Sequence, residues 1–429
     1  MKRFLTLFLC VVTAVACTLT GACKPDAPQP TDYSAFPFYT EDPAYAFSVE
    51  DARSFDGATG QYVWSDALTE QLNPFWMGNV VYNETVMLLD DGESISGNLL
   101  FTPTEILSVR DFAWEREFRE GEDFTVNGNT ITLTEQSSMP YLTSENLHGE
   151  NLPEGYRLVQ SIANTETDVM QMGATIYTEG SLIYGHQVSV SYVYDCAAAD
   201  LSAFTQFDGN ALPSARAKLA AGDDLKIGII GDSVAEGCSS SSKFNREPYL
   251  PNFIDMTALY LNAMYRAEEK AGTVTVQNYA KGGMTSEWGA AQAQIDRIIA
   301  GAPDVLYIHF GINDNGSDFS KGTYTDNIES LVLKVKNALP DCEIVLIKAF
   351  TPETMTYNDE LFAGYWNGLD SIAAGKGIYT LDLYAQSLKM LETKKYMDVT
   401  GNGINHLNDY SARLYTMNLL ASLIDFVGR

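Results

Sequence analysis

The sequence predicts two joined architectures: an all-β sandwich or jelly roll, followed by an α/β three-layer sandwich on a five-stranded parallel sheet. Three observations predict them. Short apolar or alternating runs at hairpin spacing fill residues 36–200, without long helical patterns. From residue 225 the texture changes to apolar strands alternating with helical stretches, the pattern of a parallel sheet covered on both faces. The polar, glycine-rich motifs of this second half follow those strands, where binding sites of open parallel sheets lie.

In the first half, Val80-Val81-Tyr82-Asn83-Glu84-Thr85-Val86-Met87-Leu88 and Ile106-Leu107-Ser108-Val109 are bounded by turn residues. Phe124-Thr125-Val126 and Thr130-Ile131-Thr132-Leu133 flank Asn127-Gly128, a pair suited to the positive φ angles of a type I′ hairpin turn. Gln187-Val188-Ser189-Val190-Ser191-Tyr192-Val193-Tyr194 alternates, which places Val188, Val190, Tyr192 and Tyr194 on one face.

In the second half, strands are expected at 225–230, 274–276, 305–310, 344–347 and 378–381. Helices are expected near 255–270, 287–300, 327–339 and 361–374, with a closing helix at 409–427. The organisation that follows is a β-sandwich domain at 36–200, a linker at 201–224 and an α/β domain at 225–429.

The N-terminus reads as an address. Lys2 and Arg3 precede an apolar run over residues 4–16, too short for the roughly 20 residues of a membrane span. Leu19-Thr20-Gly21-Ala22-Cys23 resembles a lipoprotein signal, with residues 1–22 removed and Cys23 lipidated; Cys17 is a competing site. Residues 23–35 form a Pro-rich tether. Beyond the signal, Cys196, Cys238 and Cys342 are odd in number and widely spaced, and the four histidines are scattered, so neither a disulfide framework nor a zinc site is expected.

The 429 residues carry a net charge of −29, which becomes −31 once Lys2 and Arg3 leave with the signal. Without basic clusters, this balance excludes nucleic acid as a partner. It equally disfavours docking on an anionic membrane through a basic patch, leaving membrane contact to a lipid on Cys23.

Four motifs fall at strand ends: Gly231-Asp232-Ser233-Val234, Lys281-Gly282-Gly283-Met284, Gly311-Ile312-Asn313-Asp314, and Asn402-Gly403-Ile404-Asn405-His406 before the closing helix. Acyl transfer by a serine needs a hydroxyl nucleophile, a base for its proton and donors for the oxyanion. Ser233, His406, the Gly283 N–H and the Asn313 amide supply that set. Singly, each motif reads as a turn, a cap or a surface histidine. Their joint arrival at one edge of one sheet is what carries the reading.

These four positions resemble the signature residues of the SGNH hydrolases, the GDSL-like esterase and lipase superfamily, over about residues 225–429. The resemblance implies a flavodoxin-like α/β fold, with Ser233 as nucleophile, His406 as base, and Ser233 N–H, Gly283 N–H and Asn313 as the oxyanion hole. It implies no metal or organic cofactor. One departure stands out: the family usually has an Asp three residues before the histidine, where this chain has Gly403. Asp398 is the candidate to orient the ring in its place, with a Ser–His dyad as the alternative.

The β half resembles the jelly-roll domain of two-domain carbohydrate esterases, which implies an acylated polysaccharide or another small ester as substrate. Trp64, Trp76, Trp114, Trp288 and Trp366 are the candidates to stack on sugar rings. Cys238 reads as a bystander thiol, His309 as a satisfied core histidine, and Ser239-Ser240-Ser241-Ser242 as a loop at the site entrance.

Overall fold

A computed structural model describes residues 33–147, 151, 170–172, 175–177, 181–238, 240–353, 357–374 and 376–428. The signal, Cys17, Cys23 and most of the tether lie outside the described residues, as does Ser239.

The parallel sheet comprises β1 (Leu225–Gly231), β2 (Val274–Asn278), β3 (Val305–His309), β4 (Glu343–Lys348) and β5 (Tyr379–Asp382), in the order β2-β1-β3-β4-β5. Every pairing is parallel, with Gly231 of β1 level with His309 of β3. The strands' period of two sends alternate side chains to opposite faces. Ile227 and Ile229 join one core, and Ile230, Leu306, Ile308, Ile344 and Leu346 join the other.

The labelled helices are α1 (Ser233–Glu236), α2 (Phe253–Ala267), α3 (Lys321–Ala338), α4 (Asp359–Ala374) and α5 (Asp409–Leu423). Side chains of α3 and α4 pack in the second core; those of α2 and α5 pack in the first. The stretch read as one helix over 287–300 is two, Ser286–Ala290 and Gln292–Gly301, parted at Ala291. Lys334 Nζ donates to the Ala290 carbonyl at this break.

The β half contains a four-stranded sheet in which Gln187–Tyr194 lies between Val80–Met87 and Pro103–Asp111, with Glu117–Phe118 at its edge. A five-stranded sheet runs Leu142–Thr143, Leu89–Asp90, Ile95–Asn98, Thr130–Leu133, Phe124–Asn127. In its hairpin Asn127 pairs with Thr130, so the two-residue turn is Gly128-Asn129, one residue later than the Asn-Gly rule places it. Gly128 takes the positive φ of 61°, and Asn129 is held by two hydrogen bonds with Leu99.

The alternation of 187–194 predicts one apolar face, and that face is in the core, but all eight residues are buried. The polar face is covered because it meets other protein groups. Ser191 Oγ accepts from Asn83 N–H, Ser189 Oγ accepts from Trp114 Nε1, and Gln187 reaches into the α/β half. A single hydrophobic cluster accordingly runs from Val188, Val190 and Tyr192 through α5 to Ile227 and Ile229. Residues 201–224, expected to link two domains, include helix Pro213–Ala221, whose Ala215 and Leu219 are in that same cluster. Glu343 of β4 accepts from the N–H groups of Ser214 and Ala215 at this helix start. Residues 33–429 make one compact unit.

The strongest polar tie across the halves is buried. Lys394 Nζ lies 2.6 Å from Glu84 Oε1, with both side chains at 0% exposure. Lys394 also donates to Asn98 O, while Glu84 accepts from Leu100 N–H and Tyr192 Oη. Removing one partner of such a pair leaves an uncompensated buried charge, so Lys394→Ala is expected to cost about 3–5 kcal/mol in urea unfolding. Glu84→Gln/Lys394→Met, which removes both charges, is expected to recover most of that loss. A double variant no more stable than Lys394→Ala would show that the pair is not what holds the junction.

Candidate active site

The site begins where β1 stops. A Cβ on Gly231 would sit 2.2 Å from the His309 carbonyl oxygen, so only glycine permits the close approach of β1 to β3 there. Asp232 then caps α1, its Oδ1 accepting from Val234 N–H at 3.0 Å. Ser233 is the first helical residue, and its own N–H is one the helix does not consume. Its Oγ lies 2.8 Å from His406 Nε2, and both residues are buried, at 6% and 7% exposure. With Nε2 accepting from the serine hydroxyl, the neutral imidazole carries its proton on Nδ1.

His406 sits in a loop organised by a residue the sequence reading passed over. Asn402, fully buried, accepts through one Oδ1 from the N–H groups of Ile404, Asn405 and His406. Gly401 N–H donates back to His406 O, and a bridge between Thr400 and Leu407 closes the loop. Gly403 has φ +84° inside this turn, a conformation an Asp there would adopt only with strain. The Asn-Gly doublet ahead of the histidine was the available signal, as a turn rather than a triad motif.

Asp398 does not take over the ring. Its Oδ1 accepts from Met87 N–H at 2.6 Å and its Oδ2 from Lys395 N–H at 2.7 Å, so the carboxylate is committed to the β half and to the start of helix Tyr396–Val399. Gln187 works beside it, with Nε2 donating to the carbonyls of Met397 and Thr400 and Oε1 accepting from Asn408 Nδ2.

Gly283 occupies a turn in which Met284 N–H donates to Lys281 O at 3.3 Å. Its φ of +76° at the third position matches a type II turn, where glycine is favoured. Lys281 N–H is tied to Gly231 O, and Asn313 Nδ2 donates to Met284 O at 3.0 Å. A Cβ on Gly282 would lie 3.6 Å from Ser233 Cβ, so this turn rests on the nucleophile position. Ser233, the Gly283 turn, Asn313 and His406 are thus brought to one neighbourhood. The arrangement can bind an ester carbonyl, take a proton from Ser233 and hold negative charge on the carbonyl oxygen.

The remaining candidates are structural. Cys238 N–H donates to Ser233 O in the turn that closes α1. His309 is fully buried, with Nδ1 3.4 Å from Asp232 Oδ1 and Nε2 3.3 Å from Tyr415 Oη. Trp64, Trp76, Trp114 and Trp366 are buried in the cores and Trp288 packs partly buried against the second, so none is an exposed platform for a sugar ring. Among the described residues no group of three or more His, Cys, Asp or Glu is placed to hold a metal. No described helix is long and apolar enough to cross a membrane.

Residues 229–414 match the model of the GDSL-like Lipase/Acylhydrolase family. The α/β half belongs to this family. Among solved structures, the chain is similar to an acetylxylan esterase from Geobacillus stearothermophilus at 19% identity, covering 48% of this chain and 97% of that one with a TM-score of 0.38. It is also similar to a lipase/acylhydrolase from Enterococcus faecalis at 19% identity, covering 46% and 93% with a TM-score of 0.35. No curated protein matches. The GDSL-like half therefore places the protein among ester hydrolases.

One electrostatic feature of this half is testable directly. Burial pushes the Asp314 carboxyl from 3.8 up to about 6, against the opposing bonds from Ser286. Folded Asp314 then binds more proton than unfolded Asp314 between those pH values, so stability falls as pH rises through the window. Asp314→Asn lacks that slope. From pH 4 to 7 its urea-unfolding stability is expected to gain on wild type by up to about 3 kcal/mol. A difference that stays flat with pH would contradict the shift.

Proposed function

We propose that the protein is an exported serine esterase that removes acetyl or similarly small acyl groups from a polysaccharide. The observation that carries the proposal is the 2.8 Å contact between Ser233 Oγ and His406 Nε2, with the Gly282-Gly283 turn resting on Ser233. The two-part build, a β half ahead of a GDSL-like half, supports a carbohydrate ester. The signal-like residues 1–22, Cys23 and the Pro-rich stretch behind it support export and a lipid anchor.

Ser233 passes its proton to His406 Nε2 as Oγ bonds to the ester carbon, and the carbonyl π pair moves onto oxygen. Ser233 N–H, Gly283 N–H and Asn313 Nδ2 stabilise that oxyanion. When the carbonyl re-forms, the bond to the sugar oxygen breaks and His406 returns the proton to it. A water then repeats both steps on the acyl-serine and releases the carboxylic acid. No cofactor enters this sequence. The acidic surface suits a neutral, acylated sugar rather than a polyanion.

Ser233→Ala is expected to lower p-nitrophenyl acetate turnover about 10,000-fold, and Asn313→Ala to lower kcat about 100-fold with little change in KM. Rates should fall steadily from acetyl to octanoyl esters, and acetylated oligosaccharides should release acetate. Full activity in Ser233→Ala would sink the mechanism. A preference for long acyl chains would turn the reading to a lipase, and glycan binding without turnover would make the protein a surface binding module.

A further inference from the structure

Within this esterase reading, we infer that Glu236 is a positioning residue that presets the oxyanion turn. Glu236 ends α1 one helical turn after Ser233, so both side chains project from the same side of a four-residue helix. Its Oε2 accepts from Gly282 N–H at 2.5 Å, and its Oε1 pairs with Lys243 Nζ at 2.7 Å. Burial pushes this carboxyl up, but Lys243 and the Gly282 N–H outweigh it and hold the group below the ordinary range, so it is an anion and a full acceptor.

Besides its own Met284 N–H to Lys281 O bond, the turn is fastened to groups outside it at three backbone points. Lys281 N–H is held by Gly231 O, Gly282 N–H by Glu236, and Met284 O by Asn313 Nδ2. Gly283 N–H, between the last two, makes no bond among the described residues. Type I and type II turns differ by a flip of the peptide joining their two central residues, which here is the Gly282–Gly283 peptide. That flip would turn the Gly283 N–H from one side of the turn to the other, and two glycines resist it very little. The anchors on Gly282 N–H and on Met284 O flank that peptide on either side, and holding both ends of the turn favours one orientation of the peptide between them.

The nucleophile helix thereby sets its own oxyanion donor. A Cβ on Gly282 would meet Glu236 Oε2 at 3.1 Å, so the glycine also leaves room for the carboxylate to reach the N–H. What Gly282 requires is an acceptor; the charge serves the pairing with Lys243.

The test uses the full chain with Glu236→Met, which keeps the length without an acceptor, and Glu236→Gln, which keeps an acceptor without the charge. With p-nitrophenyl acetate, Glu236→Met is expected to lose about 10- to 100-fold in kcat with KM within about twofold, whereas Glu236→Gln stays within about threefold of wild type. Hydrogen exchange at the Gly282 amide should quicken at least about tenfold in Glu236→Met and stay slow in Glu236→Gln. Equal damage by Met and Gln, an unaffected kcat in Glu236→Met, or unchanged Gly282 exchange would each overturn the inference. Lack of turnover by wild type would instead defeat the esterase reading, and Gly282 exchange would still decide whether Glu236 holds the turn.

Discussion

A lysine with no solvent exposure must be neutralised by its surroundings, and Lys394 is neutralised across the junction of the two halves by Glu84. The remaining capacity of both groups is filled by Asn98 O, Leu100 N–H and Tyr192 Oη, all from the β half. This contact fixes where the chain after β5 can run. The segment that starts at Lys394 continues through Asp398, held by Met87 N–H, and through Met397 and Thr400, held by Gln187. It then enters the Asn402 turn and delivers His406 to Ser233. Beyond it, Arg413 of α5 donates to the carbonyls of Tyr82 and Asn83. The β half is a wall against which the histidine loop is built.

That construction accounts for the glycine where an acid is usual. Where an Asp three residues before the histidine is usual, this chain has a turn that fixes the backbone around His406. Asn402 gathers three successive N–H groups, and Gly403 supplies the left-handed step this needs. Asp398 remains essential to the same loop as an anchor on Met87, even though it does not serve as a triad acid.

The α/β sheet was legible because each strand is a short apolar run, and three of the four site motifs follow one; the His406 motif follows helices Leu383–Leu391 and Tyr396–Val399 instead. Ser233, Gly283 and Asn313 could be singled out because their motifs follow strands, and a parallel sheet sends strand ends to one edge; their roles, and that of His406, came from the resemblance. Elements decided by tertiary partners were not legible. The split at Ala291 has only Gly289 ahead of it as a weak sequence signal, and the free Ala290 carbonyl is taken by Lys334 from another helix. The Gly128-Asn129 turn moved by one residue because Asn129 bonds to Leu99. The alternation of 187–194 places its apolar residues on one face, but it does not tell that the polar side chains of the other face hold the histidine loop and other buried groups. Glu236 and Gln187 look like ordinary surface residues in the sequence, because the Gly282 N–H and the Met397 and Thr400 carbonyls they hold are backbone groups, which leave no trace in composition.

If the β half holds His406 in place, loosening that hold should slow the serine without touching it. The direct measurement is the rate at which Ser233 is labelled by a fluorophosphonate probe in Gln187→Leu, with folding verified by circular dichroism. The account predicts labelling slowed about tenfold or more relative to wild type, since small displacements of a catalytic base carry large rate costs. A folded Gln187→Leu protein labelled at the wild-type rate would contradict it.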